Sequence, residues 1–119
     1  MEISAKKIRS IRFYKNYFKE FYVEQNEEVR RKINYSMKMV ETQRIIPKKF
    51  FRNIDGSDGI YEIRTEYAGN IYRILCCLDK DAIVVLFQGF QKKTQKTPLK
   101  EIQMAERLKK EYFIDKEEQ

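Results

Sequence analysis

The sequence reads as an α+β domain. Three observations predict it. Two stretches before Pro47 place apolar side chains at helical spacing, three runs after Gly59 switch to a period of two, and Pro98 opens a last segment that returns to helical spacing. The expected order is β-α-α-β-β-β-α in a single domain over residues 1–119, with the helices on one face of the sheet and with 1–8 and 114–119 as flexible ends.

Taken in order, Ile11-Arg12-Phe13-Tyr14 is a β-prone run and makes a first strand. Tyr17, Phe18, Phe21 and Tyr22 then fall at helical spacing. Asn26 is suited to cap a second helix, in which Val29, Ile33, Met37 and Val40 recur every three or four residues opposite a charged face that includes Glu27, Arg31 and Lys38. The two helices form a hairpin, with Met37 and Met39 as core filling. Gly56 and Gly59 flank a turn. After it Tyr61 and Ile63 alternate with Glu62 and Arg64, Tyr72, Ile74 and Cys76 with Arg73, Leu75 and Cys77, and Ile83, Val85 and Phe87 with Val84, Leu86 and Gln88. Tight turns at Ala68-Gly69 and around Lys80-Asp81 join these runs into an antiparallel meander. Thr97 fits an N-cap with Pro98 at the first helical position, and Ile102, Ala105, Leu108 and Tyr112 form one stripe of the last helix.

Composition narrows the function. With 42% hydrophobic residues, 119 residues support one core. Lys and Arg number 25 against 18 Asp and Glu, a formal charge of +7 that favours polyanions or acidic proteins as partners. Histidine is absent, which excludes imidazole acid–base chemistry, imidazole metal sites and Ser-His or Cys-His nucleophiles. An enzyme built on this chain works with Lys, Arg, Tyr, Glu and Asp. The neighbouring Cys76 and Cys77 point to opposite faces of a strand, so they read as packing residues in a reducing cytosol rather than as a disulfide or a metal site. No apolar run approaches 20 residues, and the basic segment Met1–Arg12 lacks the apolar centre of a secretory signal. Neither a metal nor another cofactor is expected, and no membrane association.

Strand register focuses part of the charge. With Ala68 and Gly69 as the loop, Tyr67 pairs with Asn70, Ile63 faces Ile74, and on the other face Arg64 lies directly opposite Arg73. Like charges so placed destabilise a sheet, which implies a function for them. Pairing Asp79 with Ala82 puts Gln88 beside Arg73 and Leu86 beside Leu75, with Phe90 on the same parity. The face is then a row of Arg64, Arg73 and Gln88, edged by Glu62, Leu75, Leu86 and Phe90, and followed by the loop Gln91–Thr97 with Lys92, Lys93, Lys96 and no acid. Guanidinium forks, a lysine loop and an aromatic ring describe an anion-binding cleft suited to a phosphodiester backbone. The plainer reading is a solvated face on which Glu62 and Glu66 neutralise arginines and Phe90 plugs the core.

The segments Gly59-Ile60-Tyr61-Glu62-Ile63-Arg64, Gly69-Asn70-Ile71-Tyr72-Arg73-Ile74 and Phe87-Gln88-Gly89-Phe90-Gln91-Lys92-Lys93-Thr94-Gln95-Lys96-Thr97-Pro98, with Glu101-Ile102 and Ala105 after them, resemble the RelE/HigB toxins of bacterial type II toxin–antitoxin pairs. They look most like the phage-derived, HigB-like branch of the RelE/ParE superfamily. The resemblance implies a helical hairpin on a curved antiparallel sheet, with a C-terminal helix. It also implies a cytoplasmic endoribonuclease, an mRNA interferase that inhibits translation and in many members cuts messages on the ribosome. Its implied partners are mRNA, the ribosome and a cognate antitoxin of helix-turn-helix type, through which alone it would reach operator DNA. The family's basic strand position maps to Arg64, its Tyr-Arg motif to Tyr72-Arg73 and its basic residues after the last strand to Lys92 and Lys93. Some relatives carry a lysine where this chain has Glu62 and an active-site tyrosine near the C-terminus, for which Tyr112 is the nearest candidate; others use histidines.

The expected chemistry is metal-independent internal transfer. Arg64 and Arg73 hold the scissile phosphate and its developing charge, and Lys92 or Lys93 moves a proton or supports electrostatically. Glu62, Gln88, Phe90 and Lys96 are candidate RNA contacts, and Glu62 is open to two further readings, general base or partner of Arg64. Two rivals share the surface or the fold: a non-catalytic RNA- or ribosome-binding module, and a ParE-like toxin acting on gyrase.

Overall fold

Asn26 starts the second helix by the route its residue type favours, its side-chain oxygen accepting from the Val29 N–H at 2.9 Å. The computed structural model in which this contact is seen describes residues 6–80, 82–92 and 96–118. In chain order the elements are β1 (Ser10–Phe13), α1 (Tyr17–Val23), α2 (Glu27–Thr42), β2 (Phe51–Asn53), β3 (Tyr61–Tyr67), β4 (Asn70–Asp79), β5 (Ile83–Lys92) and α3 (Leu99–Glu117). Among the described residues five strands form one sheet in the order β1-β5-β4-β3-β2, antiparallel except for the parallel β1–β5 pair. The α+β class and the hairpin agree with the sequence. The short edge strand β2 is an addition to the expected order.

The helices occupy both faces of the sheet, not one. On the first face Phe18 and Phe21 of α1 and Val29, Ile33 and Val40 of α2 bury Ile63, Ile74, Cys76, Val84 and Leu86. On the second, Ala105, Leu108 and Tyr112 of α3 cover Leu75, Cys77, Val85 and Phe87. A strand that is covered on both sides is apolar at successive positions, which accounts for the run Ile74-Leu75-Cys76-Cys77. Cys76 and Cys77 are buried free thiols, one in each core. Burial pushes the Cys77 thiol up to about 12 and Cys76 well above its ordinary value, so both stay protonated and inert.

The β3–β4 hairpin has the expected register, with Tyr67 opposite Asn70 and Arg64 opposite Arg73. Its loop needs positive φ at both positions, and Ala68 (52°) and Gly69 (79°) supply it. The β4–β5 register differs from expectation twice. Asp79 pairs with Ile83, one residue beyond the expected Ala82, and this turns Leu86 onto the hairpin face opposite Cys76. A bulge then intervenes, because Cys76 pairs with Leu86 but Ile74 with Gly89, leaving Phe87 and Gln88 together against Leu75. The extra residue returns β5 to the expected parity, so Phe90 and not Gln88 lies opposite Arg73. Gly89 passes so close to α1 that a Cβ there would stand 2.5 Å from the Phe21 ring.

Helix α3 is fixed at both ends. Thr97 is not its cap: Pro98 holds the N-cap position without a side-chain hydrogen bond, and the Thr97 hydroxyl goes elsewhere. The helix runs on to Glu117, and Lys116 donates to both oxygens of Asp79 at 2.9 and 2.8 Å. Tyr112 donates to Asp79 at 2.6 Å and accepts from Arg12. No helix among the described residues is long and apolar enough to cross a membrane.

The hydrogen bonds from Lys116 and Tyr112, assisted by the charges of Lys116 and Arg12, hold the buried Asp79 carboxyl below its usual range. A depressed pKa contributes stability that is present above the unfolded value of about 3.9 and is lost as pH falls through the folded one. Asp79→Asn is therefore expected to lower the urea midpoint at pH 7 and to flatten the loss of stability below about pH 4. Parallel wild-type and variant curves across that window would contradict the assignment.

Candidate functional site

The period of two along β3 places Glu62, Arg64 and Glu66 on the α3 face, while Ile63 and Thr65 turn toward the hairpin. Thr65 meets Ser36 of α2 across 2.8 Å, and the Ser36 hydroxyl also donates to the Arg64 carbonyl at 3.1 Å. These bonds fix the backbone of β3 at the arginine itself. Since α3 covers only the part of the face around Leu75 and Phe87, the part around residues 62, 64 and 73 is left for polar groups.

The expected opposition of Arg64 and Arg73 is present, and a carboxylate resolves it. Glu62 is fully buried, with its two oxygens divided among four groups. Arg52 Nε donates to Oε2 at 3.0 Å, and Arg64 Nε lies 3.5 Å from the same oxygen. Arg73 Nε lies 3.3 Å from Oε1, to which the Thr97 hydroxyl also donates. Glu66 adds a weaker contact to Arg64 at 3.7 Å. Three guanidiniums thus surround one buried acid, and the cluster keeps a surplus of positive charge. Arg73 is 0% exposed and Arg64 8%. Burial lowers the Arg73 pKa, as do the charges of Arg64 and Arg52, against the opposing effect of Glu62. An arginine remains a cation under these conditions.

The other site residues expected from sequence divide into three groups. Glu62 and Gln88, expected as RNA contacts, are buried. Glu62 is enclosed by its arginines, and Gln88, turned by the bulge, is 6% exposed and donates its amide to the Glu101 carbonyl at 2.9 Å, tying β5 to the first turn of α3. Phe90 is half-buried at the margin of the α3 core and faces Arg73 across the strand pair. Lys96 is exposed beside Thr97; Lys92 ends β5 at the register position opposite Ile71, and Lys93 lies outside the described residues. Tyr112 belongs to the Asp79 network, roughly 20 Å along α3 from its N-terminal end at 1.5 Å per residue, and so does not enter this cluster.

Two contributors were missed from sequence. Arg52 sits on β2, where three residues are too few to show a period, although Phe50-Phe51-Arg52 carries the apolar–cationic signal. Thr97 was assigned to a helix cap. Together with Lys96, Asn53, Asp55 and Ile102 these two line a groove of about 450 Å³ beside the Glu62 cluster. Arg52, with a side chain 40% exposed, joins the groove to the buried acid. Its chemistry is that of an anion site with a fixed positive field and a solvent-accessible guanidinium. Among the described residues no group of three Cys, Asp or Glu converges as a metal site would require.

Comparison with known proteins adds two findings. The family described as phage-derived protein Gp49-like matches residues 20–110. The solved structure of the archaeal RelE–RelB complex from Pyrococcus horikoshii OT3 contains a chain similar in fold, with a TM-score of 0.54 and 12% identity over 75% of this chain and 99% of that one. No curated protein sequence matches.

Removing one member of a buried ion cluster leaves the rest uncompensated, at a cost of about 3–5 kcal/mol. Glu62→Gln is therefore expected to lower the unfolding free energy by about that amount in urea titration. Glu62→Gln combined with Arg73→Met should regain part of the loss, and a Glu62→Gln variant as stable as wild type would contradict the role given to the acid.

Proposed function

Because the chain belongs to the phage-derived Gp49-like family and has the fold of RelE, we propose that it is the toxin of a type II toxin–antitoxin pair, of the HigB-like branch, and that it cuts mRNA on the arginine face of its sheet. One observation carries the reading. The chain gathers Arg52, Arg64 and Arg73 around a single acid beside an open groove that Lys96 helps to line, and Lys92 and Lys93 precede it closely in sequence.

In this reading the RNA backbone lies in the groove, with Arg52 and Lys96 holding phosphates, and Arg64, which shares the Glu62 carboxylate with Arg52, is the donor to the scissile group. Arg73, fully buried, acts as a positioning residue: it contributes field rather than contact, and shares with Glu62 the task of keeping Arg64 in place. Cleavage is internal transfer. The 2′-oxygen loses its proton and attacks phosphorus, a pentavalent intermediate forms, and the 5′-oxygen leaves as it gains a proton. A cation near the phosphorane stabilises charge that grows only in the transition state, which is the basis of catalysis by differential binding. With no histidine in the chain, Lys92 and Lys93 are the proton carriers of this reading.

The ribosome fits this chemistry as the device that aligns substrate, since positioning can supply roughly 7–11 kcal/mol of the barrier. An excess positive face also suits neutralisation by a cognate antitoxin with acidic segments, encoded beside the toxin, and the similar RelE chain was solved in complex with RelB. The site of action is then the cytoplasm.

Arg64→Ala tests this reading. In a translation extract the wild-type protein is expected to shorten the message. The variant, checked for fold by circular dichroism, should be slower by roughly 100-fold, the scale of losing one transition-state donor. Growth arrest with intact transcripts and damaged DNA would instead mark a gyrase-directed toxin. Salt-sensitive binding without any cut would mark a binding module.

A further inference from the structure

The arginine cluster has a second side. β2 pairs only with Tyr61–Ile63, and its ladder ends where the Arg64 N–H donates to the Phe50 carbonyl at 2.9 Å. Past that point β3 runs on without β2, and a recess of about 240 Å³ opens between its edge and α2. Its floor is polar and built: Ser36 (1% exposed) and Thr65 (4%) share a hydrogen bond there. Its wall is aromatic. Tyr35, 48% exposed, meets Phe50 edge to face with ring centroids 5.9 Å apart, and Lys49 Nζ stands 5.1 Å above the Phe50 ring. Lys32 and Lys49 stand at its rim with Arg64 on the sheet side, against the single acid Glu66.

We propose that this recess is a nucleotide subsite, in which one base of a single-stranded RNA stacks on Tyr35 and its phosphate is held by Lys32 and Lys49. The inference deepens the ribonuclease reading and rests on it, because the recess shares Arg64 with the arginine cluster: a strand held there by its scissile phosphate reaches the recess with the next nucleotide. The residue types suit that ligand. An exposed ring offers a face to any base, the lysines are placed for a phosphate, and hydroxyls at the floor can meet a base edge. Its size suits one nucleotide, whereas a docked helix of a protein partner requires an extended apolar groove. The subsite would fix the register of the RNA relative to the scissile bond.

The test uses the full chain and a fluorescein-labelled, fully 2′-O-methylated RNA hexamer, which internal transfer cannot cut. Base stacking contributes about 1–3 kcal/mol, so Tyr35→Ala is expected to weaken binding roughly 5- to 100-fold in anisotropy titrations. Tyr35→Phe, which keeps the ring, should bind as the wild type does. Lys49→Ala should lower both affinity and the salt slope, by about one counterion. Hexamers with 5-iodouridine should photo-crosslink to Tyr35 or Phe50. Tyr35 is half exposed, so the variants are not expected to unfold. No binding by the wild type, or equal affinity of Tyr35→Ala and wild type, overturns the subsite. Message cleavage in a translation extract, measured on the same preparations, separates the two claims. Cleavage together with an indifferent Tyr35→Ala overturns the subsite alone, and Tyr35-dependent binding without cleavage supports it while overturning the nuclease.

Discussion

The Glu62 carboxylate is the point on which the arrangement depends. A buried acid is costly to desolvate, and two arginines facing each other across a strand pair repel; each problem is the other's solution. By accepting from Arg52 the carboxylate fastens the edge strand β2 to the sheet, and by accepting from Thr97 it fastens the approach to α3. One side chain therefore joins three strands to the last helix. Two of the three guanidiniums, Arg64 and Arg73, are held in place largely without solvent, so the cluster projects a field into the neighbouring groove that water screens only in part.

The bulge in β5 makes room for this. It sets Phe87 and Gln88 side by side on the α3 face, Phe87 to close the apolar core and Gln88 to hold the first turn of the helix. Helix α3 consequently covers the Leu75–Phe87 part of its sheet face and stops short of the arginines. Its far end is locked separately by Asp79, through Tyr112 and Lys116. Structural anchoring and the cationic cluster thus occupy opposite ends of one helix, which keeps Tyr112 away from the arginines.

Much of this could be read from sequence, for identifiable reasons. The pairing of Arg64 with Arg73 followed from a two-residue loop ending in glycine, where the turn type fixes the register. The hairpin followed from apolar spacing and from Asn26. The β4–β5 register did not, because a longer loop and a bulge leave no mark in an alternating run, and each shifts the pairing by one residue. Leu86 and Gln88 were misplaced for that reason. Placing all helices on one face failed because Leu75 and Cys77 read as the outward half of an alternation, whereas both halves are buried. Threonine before proline has the form of a cap, and only the fold shows a carboxylate competing for its hydroxyl. Burial was the least legible property: the sequence identified Arg73, but its complete enclosure depends on what the distant Glu62 and Thr97 do.

The central claim is that a face without histidine cleaves RNA by transfer to the 2′-oxygen. The measurement that tests it most directly is the chemistry of the new ends on a message cut by the purified protein during translation. Transfer leaves a 2′,3′-cyclic phosphate on one fragment and a 5′-hydroxyl on the other, so the downstream fragment should accept labelled phosphate from polynucleotide kinase without prior dephosphorylation. Fragments carrying 5′-phosphates, or messages that remain whole, would contradict the account.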